Sequence, residues 1–266
     1  MKYLTLTVAL LSVAAFSTPA HSQDVAKFLD DIEVTSTIDT VSEYVFRGIS
    51  AGGSSIQPGT ELSVYGFTAG TWYSAGFGED SAAQLDELDL YAGYQFPLSG
   101  PIQLGIGGTA YVYPQGNDLM DGSGGTVATY EVNATAGVED FFLSPSVFAA
   151  YDFTLDNFTV EGNLSHSFDL PREGWSAEVG LNVGHVELDE TIQVTTLDEA
   201  FDSYQYGTLS IAANKVITED ISFFVSGNFS ANTEDDVLDF DIDAVDTGFR
   251  DSDSVFWFGT GFSASY

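Results

Sequence analysis

From Val255 to Tyr266 the residues alternate in character. Phe256, Phe258, Thr260, Phe262, Ala264 and Tyr266 share one face of an extended chain, and Val255, Trp257, Gly259, Gly261, Ser263 and Ser265 share the other. A period of two is the period of a β-strand and not of a helix. A soluble sandwich would have to cover this aromatic face with more protein, and the given sequence stops at Tyr266. A transmembrane barrel needs no such cover: lipid meets the apolar face, and the last strand closes the ring against the first. The terminal segment therefore poses a choice between sandwich and barrel that the rest of the sequence has to decide.

The start of the sequence favours export. Lys2 precedes an apolar run from Leu4 to Phe16, Pro19 breaks it, and Ala20-His21-Ser22 forms a small-x-small cleavage site. This is the pattern of a secretory signal peptide, here residues 1–22, and the run is too short for a membrane helix, which needs about 20 residues. The expected mature domain is 23–266. There is no cysteine, so neither a lipid anchor at the cleavage site nor disulfide staples are available to an exported chain. Nothing in 23–266 has the 18 consecutive apolar residues of a helical span.

Charge narrows the partners. Six Lys and Arg stand against 40 Asp and Glu, a formal net charge of −34. A nucleic-acid phosphate backbone would be repelled, so nucleic acid is excluded as a partner. Electrostatic attachment to an anionic membrane surface is disfavoured for the same reason. With 44% hydrophobic residues the chain is also no disordered acidic tail.

The mature sequence reads as twelve alternating segments. They run from about Ile32 to Arg47, Thr60 to Thr68, Ala69 to Phe77, Leu85 to Phe96, Ile102 to Tyr113 and Thr129 to Val138. The remaining six are about Phe141 to Phe153, Phe158 to Phe168, Trp175 to Val186, Tyr204 to Lys215, Ile221 to Ala231 and Val255 to Tyr266. Connections alternate in length. Short ones fall at Thr68-Ala69, Pro97 to Pro101, Glu139-Asp140, Asp169 to Gly174 and Val216 to Asp220. Opposite them lie Gly48 to Gly59, Gly78 to Gln84, Pro114 to Ala128, Thr154 to Asn157, Glu187 to Ser203 and Asn232 to Ser254, most of them longer. Short turns at one end and long loops at the other, with an even strand number, are the pattern of an outer-membrane barrel.

The strand faces agree. Leu88, Leu90, Ala92, Tyr94 and Phe96 oppose Glu87, Asp89, Tyr91, Gly93 and Gln95. Phe158, Val160, Gly162, Leu164, His166 and Phe168 oppose Thr159, Glu161, Asn163, Ser165 and Ser167. Nearly every segment carries a continuous polar face, which suits a wet lumen better than a protein core.

Val41 to Ser50 reads VSEYVFRGIS. This stretch resembles the signature near the mature N-terminus of the TorF-like porin family, an outer-membrane barrel family of poorly defined activity. DLYAGY from Asp89, YVYP from Tyr111, TYE from Thr129 and the terminal strand resemble it in the same order. The family's usual acid before the Tyr corresponds to Glu43, and its Arg to Arg47. The resemblance implies an outer-membrane β-barrel with pore activity and supplies no substrate.

In a continuous first strand, Asp39, Val41, Glu43, Val45 and Arg47 share the inner face, while Ile38, Thr40, Ser42, Tyr44 and Phe46 face lipid. Glu43 and Arg47 then read either as a charge-filtering constriction or as a structural salt bridge in the wall. Glu61, Glu87, Asp89, Glu131, Glu161 and Glu178 take the same inward phase, against Arg47 and Lys215 as inward bases. An open lumen so lined would favour cations. A closed one would merely hydrate these acids or pair them. Asp239, Asp241 and Asp243 resemble the start of a calcium loop, but Ala244 and Arg250 stand where the Gly and the bidentate Glu belong. Divalent bridging to lipopolysaccharide and a solvated loop are the two readings of that stretch.

No catalytic constellation, metal cluster or cofactor motif is evident: His166 and His185 are the only mature histidines, and there is no G-x-S-x-G. The expectation is an all-β, antiparallel, up-and-down transmembrane barrel of about twelve strands, closed by the strand bearing Phe256, Phe258, Phe262 and Tyr266. It would lie in the outer membrane of a Gram-negative bacterium, inserted there by the barrel assembly machinery among outer-membrane lipid and lipopolysaccharide. Its function would be to pass small solutes, with a cation preference. The alternative is a non-conducting barrel with a structural or surface-interaction role.

Overall fold

The computed structural model describes residues 31–78, 86–114, 127–139, 141–188, 203–233 and 253–266. Their alternating segments form fourteen strands. They are β1 (Glu33–Val41), β2 (Tyr44–Phe46), β3 (Ile49–Gly52), β4 (Ser55–Val64), β5 (Phe67–Gly76), β6 (Glu87–Gln95) and β7 (Ile102–Tyr113). Then come β8 (Val127–Val138), β9 (Ser146–Asp152), β10 (Asn157–Asp169), β11 (Trp175–Glu187), β12 (Ser203–Val216), β13 (Ile221–Asn232) and β14 (Ser254–Ser265). Twelve of them, β1 and β4 to β14, close into one antiparallel barrel in which each strand bonds its sequence neighbours. β2 and β3 stand apart as a two-stranded hairpin.

The seam joins β1 to β14, in register from Thr35 opposite Ser265 to Val41 opposite Gly259. Tyr266 extends it by one residue: its N–H donates to the Val34 carbonyl at 2.9 Å, and the Val34 N–H donates back at 3.2 Å. Closure leaves no strand edge with free N–H and C=O groups, which a bilayer requires because its interior offers no water to satisfy them.

The wall is inverted relative to a soluble protein. Among the described residues only Ala150, Val186, Tyr204 and Tyr206 are buried apolar residues, whereas eleven polar or charged ones are buried. Large apolar residues instead stand exposed around the whole outside, among them Ile38, Leu62, Leu90, Ile106, Leu181, Ile211 and Phe258. An apolar belt of this extent on a water-exposed surface would drive aggregation; against hydrocarbon it is the stable arrangement. Aromatic clusters edge the belt. At the end with the short turns Phe67 packs on Tyr94 with ring centroids 4.5 Å apart, and Phe223 on Phe262 at 5.0 Å. At the opposite, loop end Phe256 meets Phe258 edge-on at 4.8 Å. These are positions where rings bridge hydrocarbon and head groups.

Several boundaries differ from the sequence reading. The first wall strand ends at Val41, not Arg47, and residues 44–52 that read as strand and loop form the β2–β3 hairpin. The next wall strand starts at Ser55, so the short turn falls at Tyr65-Gly66 and not at Thr68-Ala69. Both turn residues have positive φ, 50° and 83°. That is the two-residue geometry whose twist matches antiparallel strands, and Tyr at its first position carries no propensity signal for it. β9 begins at Ser146, five residues after Phe141, because Phe141 and Phe142 lie in an exposed turn. Lys215, an inward base by the sequence phasing, shares the outward face of β12 with Leu209 and Ile211. The signal-peptide residues 1–22, the acidic stretch with Asp239, Asp241 and Asp243, and most of the longer loops lie outside the described residues.

Candidate functional site

The chain leaves the wall at Ser42 and turns into the barrel before rejoining it at Ser55. Val45 pairs with Ser50 and Phe46 with Ile49, with Arg47-Gly48 as the two-residue tip. Both tip residues have positive φ, 47° and 83°. Gly adopts this conformation freely, whereas Arg does so at a cost that its surroundings must offset.

Those surroundings come from both sides of the lumen. Arg47 Nη2 donates to Glu131 Oε2 on β8 at 2.5 Å, with the glutamate side chain only 2% exposed. The guanidinium also lies 4.7 Å from the centroid of the Phe46 ring, a cation–π arrangement. Tyr111 on β7 donates its hydroxyl to the other Glu131 oxygen at 3.3 Å. Tyr44 donates to Glu87 on β6 at 2.6 Å and packs its ring 5.6 Å from Trp72. Across the barrel, Ile49 joins a small apolar cluster with Val186, Tyr204 and Tyr206 from β11 and β12. Asn232 Nδ2 donates to the Gly48 carbonyl at 3.1 Å. The hairpin is thus tied to β6, β8, β12 and β13 and crosses the lumen at the loop end. Within it, Ser50 Oγ donates to Glu43 Oε1 at 2.5 Å, with both residues buried.

Of the sequence candidates, Glu43 and Arg47 sit in this hairpin, and Glu87 and Glu131 are its anchors in the wall. Asp89 lies one inward step from Glu87 and keeps a buried Oδ1 without a hydrogen-bond partner. Glu161 accepts hydrogen bonds from the Tyr206 hydroxyl and from Asn182 Nδ2, the latter at 3.1 Å. Glu61 accepts from Tyr91 at 3.1 Å in the turn-end half. Glu178 faces inward and is exposed, on a level below the hairpin. The structure therefore gathers Glu43, Arg47, Glu87 and Glu131 around the hairpin, with Asp89 and Glu161 adjoining, and leaves Glu61 and Glu178 apart.

Between the hairpin tip and the wall of β7, β9 and β10 lies a cavity of about 410 Å³, bordered by Val45, Arg47, Tyr111, Phe148, Glu161 and Asn163. The Glu161 carboxylate, the Tyr111 phenol, the Asn163 amide and the Arg47 guanidinium, neutralised by Glu131, line it. They offer hydrogen bonds and negative potential to a solute, with no nucleophile–base pair. His166 packs between Phe142 and Phe168 on the outer surface, and His185 meets Gln205 on the outward face.

Sequence reasoning missed the tyrosines. A continuous first strand puts Tyr44 toward lipid, yet it is bound to Glu87 inside the barrel. Tyr111 enters the sequence reading only as the start of YVYP, and Tyr204 and Tyr206 only within a strand, yet all three hold or flank the hairpin. One signal was available: a first strand of sixteen residues is too long for a span of about 9–11, and Arg47-Gly48 between two alternating pieces permits a hairpin.

A closed twelve-stranded antiparallel barrel, apolar outside and polar within, with a hairpin folded into the lumen, has the architecture of the outer-membrane β-barrel proteins. The chain belongs to the family described as "Bacterial protein of unknown function (Gcw_chp)", whose model matches residues 27–256. The TorF-like name is not carried by that match. No curated protein matches the sequence. Among solved structures, the NanC porin is similar at a TM-score of 0.55 and 9% identity, over 86% of this chain and 98% of that one. LpxR from Salmonella typhimurium follows at 0.49 and 10%, over 86% and 99%. The COG4313 outer membrane channel from Pseudomonas putida F1 gives 0.46 and 14%, over 88% and 94%. At these identities what is shared is the fold.

Proposed function

We propose that this chain is an outer-membrane channel of narrow bore that passes small solutes, cations in preference to anions. The observation that carries the proposal is the charge of the inner wall. Glu61, Glu87, Asp89, Glu131, Glu161 and Glu178 face inward, whereas Arg47, the one inward cation among the described residues, is bonded to Glu131. The remaining field in a narrow pore is negative, and such a field raises the local concentration of cations. That the similar NanC structure is called a porin fits the reading. Both described histidines lie on the outer surface, away from the lumen.

Residues 1–22 would direct export, the barrel assembly machinery would insert the mature chain, and lipopolysaccharide would surround its loop end. Planar-bilayer recording across a KCl gradient tests the proposal. Discrete conductance steps with a reversal potential on the cation side are expected; steps selective for anions would overturn it.

A second reading is favoured by one observation: Glu43, at the approach to the hairpin, and Ser50 and Gly52 within it are buried, so protein occupies part of the lumen at the loop end. Under that reading the barrel does not conduct and serves the envelope or its surface. Absence of any steps from folded protein would select it.

A further inference from the structure

Bases are scarce in this chain, yet two of them meet at one point on the outside of the barrel. Arg172 lies in the β10–β11 turn, and its guanidinium carbon is 5.5 Å from the Trp175 ring centroid. Lys215, opposite Trp175 in the β11–β12 ladder, holds its ammonium 6.0 Å from the same centroid. The turn is shaped around that ammonium. Lys215 Nζ donates to the Glu173 carbonyl at 2.8 Å. Gly174, at φ 70°, leaves the space the ammonium occupies, since a Cβ there would fall 2.6 Å from Nζ.

Neither cation has a carboxylate partner among the described residues, although the chain has 40 acids to offer. The ammonium spends one of its three donors on a carbonyl, which neutralises no charge. Above the pair, Trp175 leads into the lipid-facing row of Ala177, Val179 and Leu181, and Lys215 into Ile211 and Leu209. Cations at the level of an interfacial Trp, with an apolar wall beside them, suit a phosphate on a glycerol bearing acyl chains.

We infer that Arg172, Lys215 and Trp175 form a seat for the phosphodiester head group of a phospholipid in the leaflet at the turn end of the barrel. This rests on the membrane-spanning reading above. It accounts for two cations that have no carboxylate partner among the described residues, in a protein whose overall charge repels anionic lipid. The seat anchors the turn end at a fixed depth.

Native mass spectrometry of the folded barrel released from detergent tests it, with phosphatidylglycerol, phosphatidylethanolamine, diacylglycerol and inorganic phosphate as separate probes. Both phospholipids should be retained and diacylglycerol should not. Arg172→Gln/Lys215→Gln should lower phospholipid retention by about tenfold or more while still migrating as a folded, heat-modifiable band. If the double variant fails to fold, each single variant should show an intermediate loss. Equal retention by a folded variant, equal retention of diacylglycerol, or occupancy by inorganic phosphate alone overturns the seat. Failure of the membrane reading would look different: the wild-type chain would remain folded and soluble with no detergent at all.

Discussion

Gly48 lies against Tyr206 so closely that a methyl group on its Cα would come within 2.6 Å of the tyrosine Cγ. The two residues are 158 positions apart in the chain, and the contact seats the hairpin tip on the opposite wall. Gly48→Ala therefore meets both a steric barrier and the cost of a side chain at φ 83°, together about 1–3 kcal/mol or more. The expected outcome is a barrel that still folds but whose hairpin is displaced. Bilayer recording should show larger or noisier steps than wild type, and unchanged conductance would mean the hairpin does not limit flow.

The ion pair at the same tip gives a sharper test. Removing one member of a buried pair leaves an uncompensated charge, at a cost of about 3–5 kcal/mol. Arg47→Ala and Glu131→Ala should each loosen the hairpin, and the double variant should cost less than the sum of the two. Selectivity should move in opposite directions, with Arg47→Ala strengthening the preference for cations and Glu131→Ala weakening it. Additive stability losses in a double-mutant cycle would deny that the pair acts as a unit.

Two positions on β11 separate the faces of the wall. Leu181 is 43% exposed on the outside near the middle of the strand. Leu181→Arg should destabilise the folded barrel by about 2–4 kcal/mol, measured by unfolding in denaturant with lipid present. Glu178→Arg, three residues away on the inner face, should leave stability nearly unchanged and shift the reversal potential toward anions. Equal destabilisation by both would contradict the inward phase of Glu178.

The seam can be tested through its last residue. Tyr266 contributes two backbone hydrogen bonds to Val34 and an outer-surface ring that is 77% exposed. Deleting it, or replacing Phe262 and Tyr266 with charged residues, should lower the yield of heat-modifiable barrel in the membrane. Gly261→Ala should weaken the seam from inside, because a Cβ there would fall 2.8 Å from both the Ile38 carbonyl and the Phe224 ring.

The wall was legible in the sequence because a membrane imposes a strict period. Every wall strand must put apolar side chains toward lipid at every second position, so β7, from Ile102 to Tyr113, could be read to the residue. Turns were read less well. Tyr65-Gly66 was passed over because the alternation around it continues smoothly and a Tyr at positive φ leaves no mark in composition. β2 was misread for a related reason: its alternation continues that of β1, and periodicity is silent about whether a strand stays in the sheet.

Alone, the sequence determined the architecture: twelve two-faced strands, closure through the segment ending in Tyr266, and an acidic inner wall. These follow from local side-chain order, which the solvent on each face selects. What only the tertiary structure decided is the path of residues 44–52. Whether residues 44–52 continue the wall or fold inward depends on Glu87, Glu131, Tyr206 and Asn232, which are distant in the chain and become neighbours only when the barrel has closed. Arg47 is accordingly not a charge on the wall but the tip of a hairpin, held in a left-handed conformation by a glutamate 84 residues away.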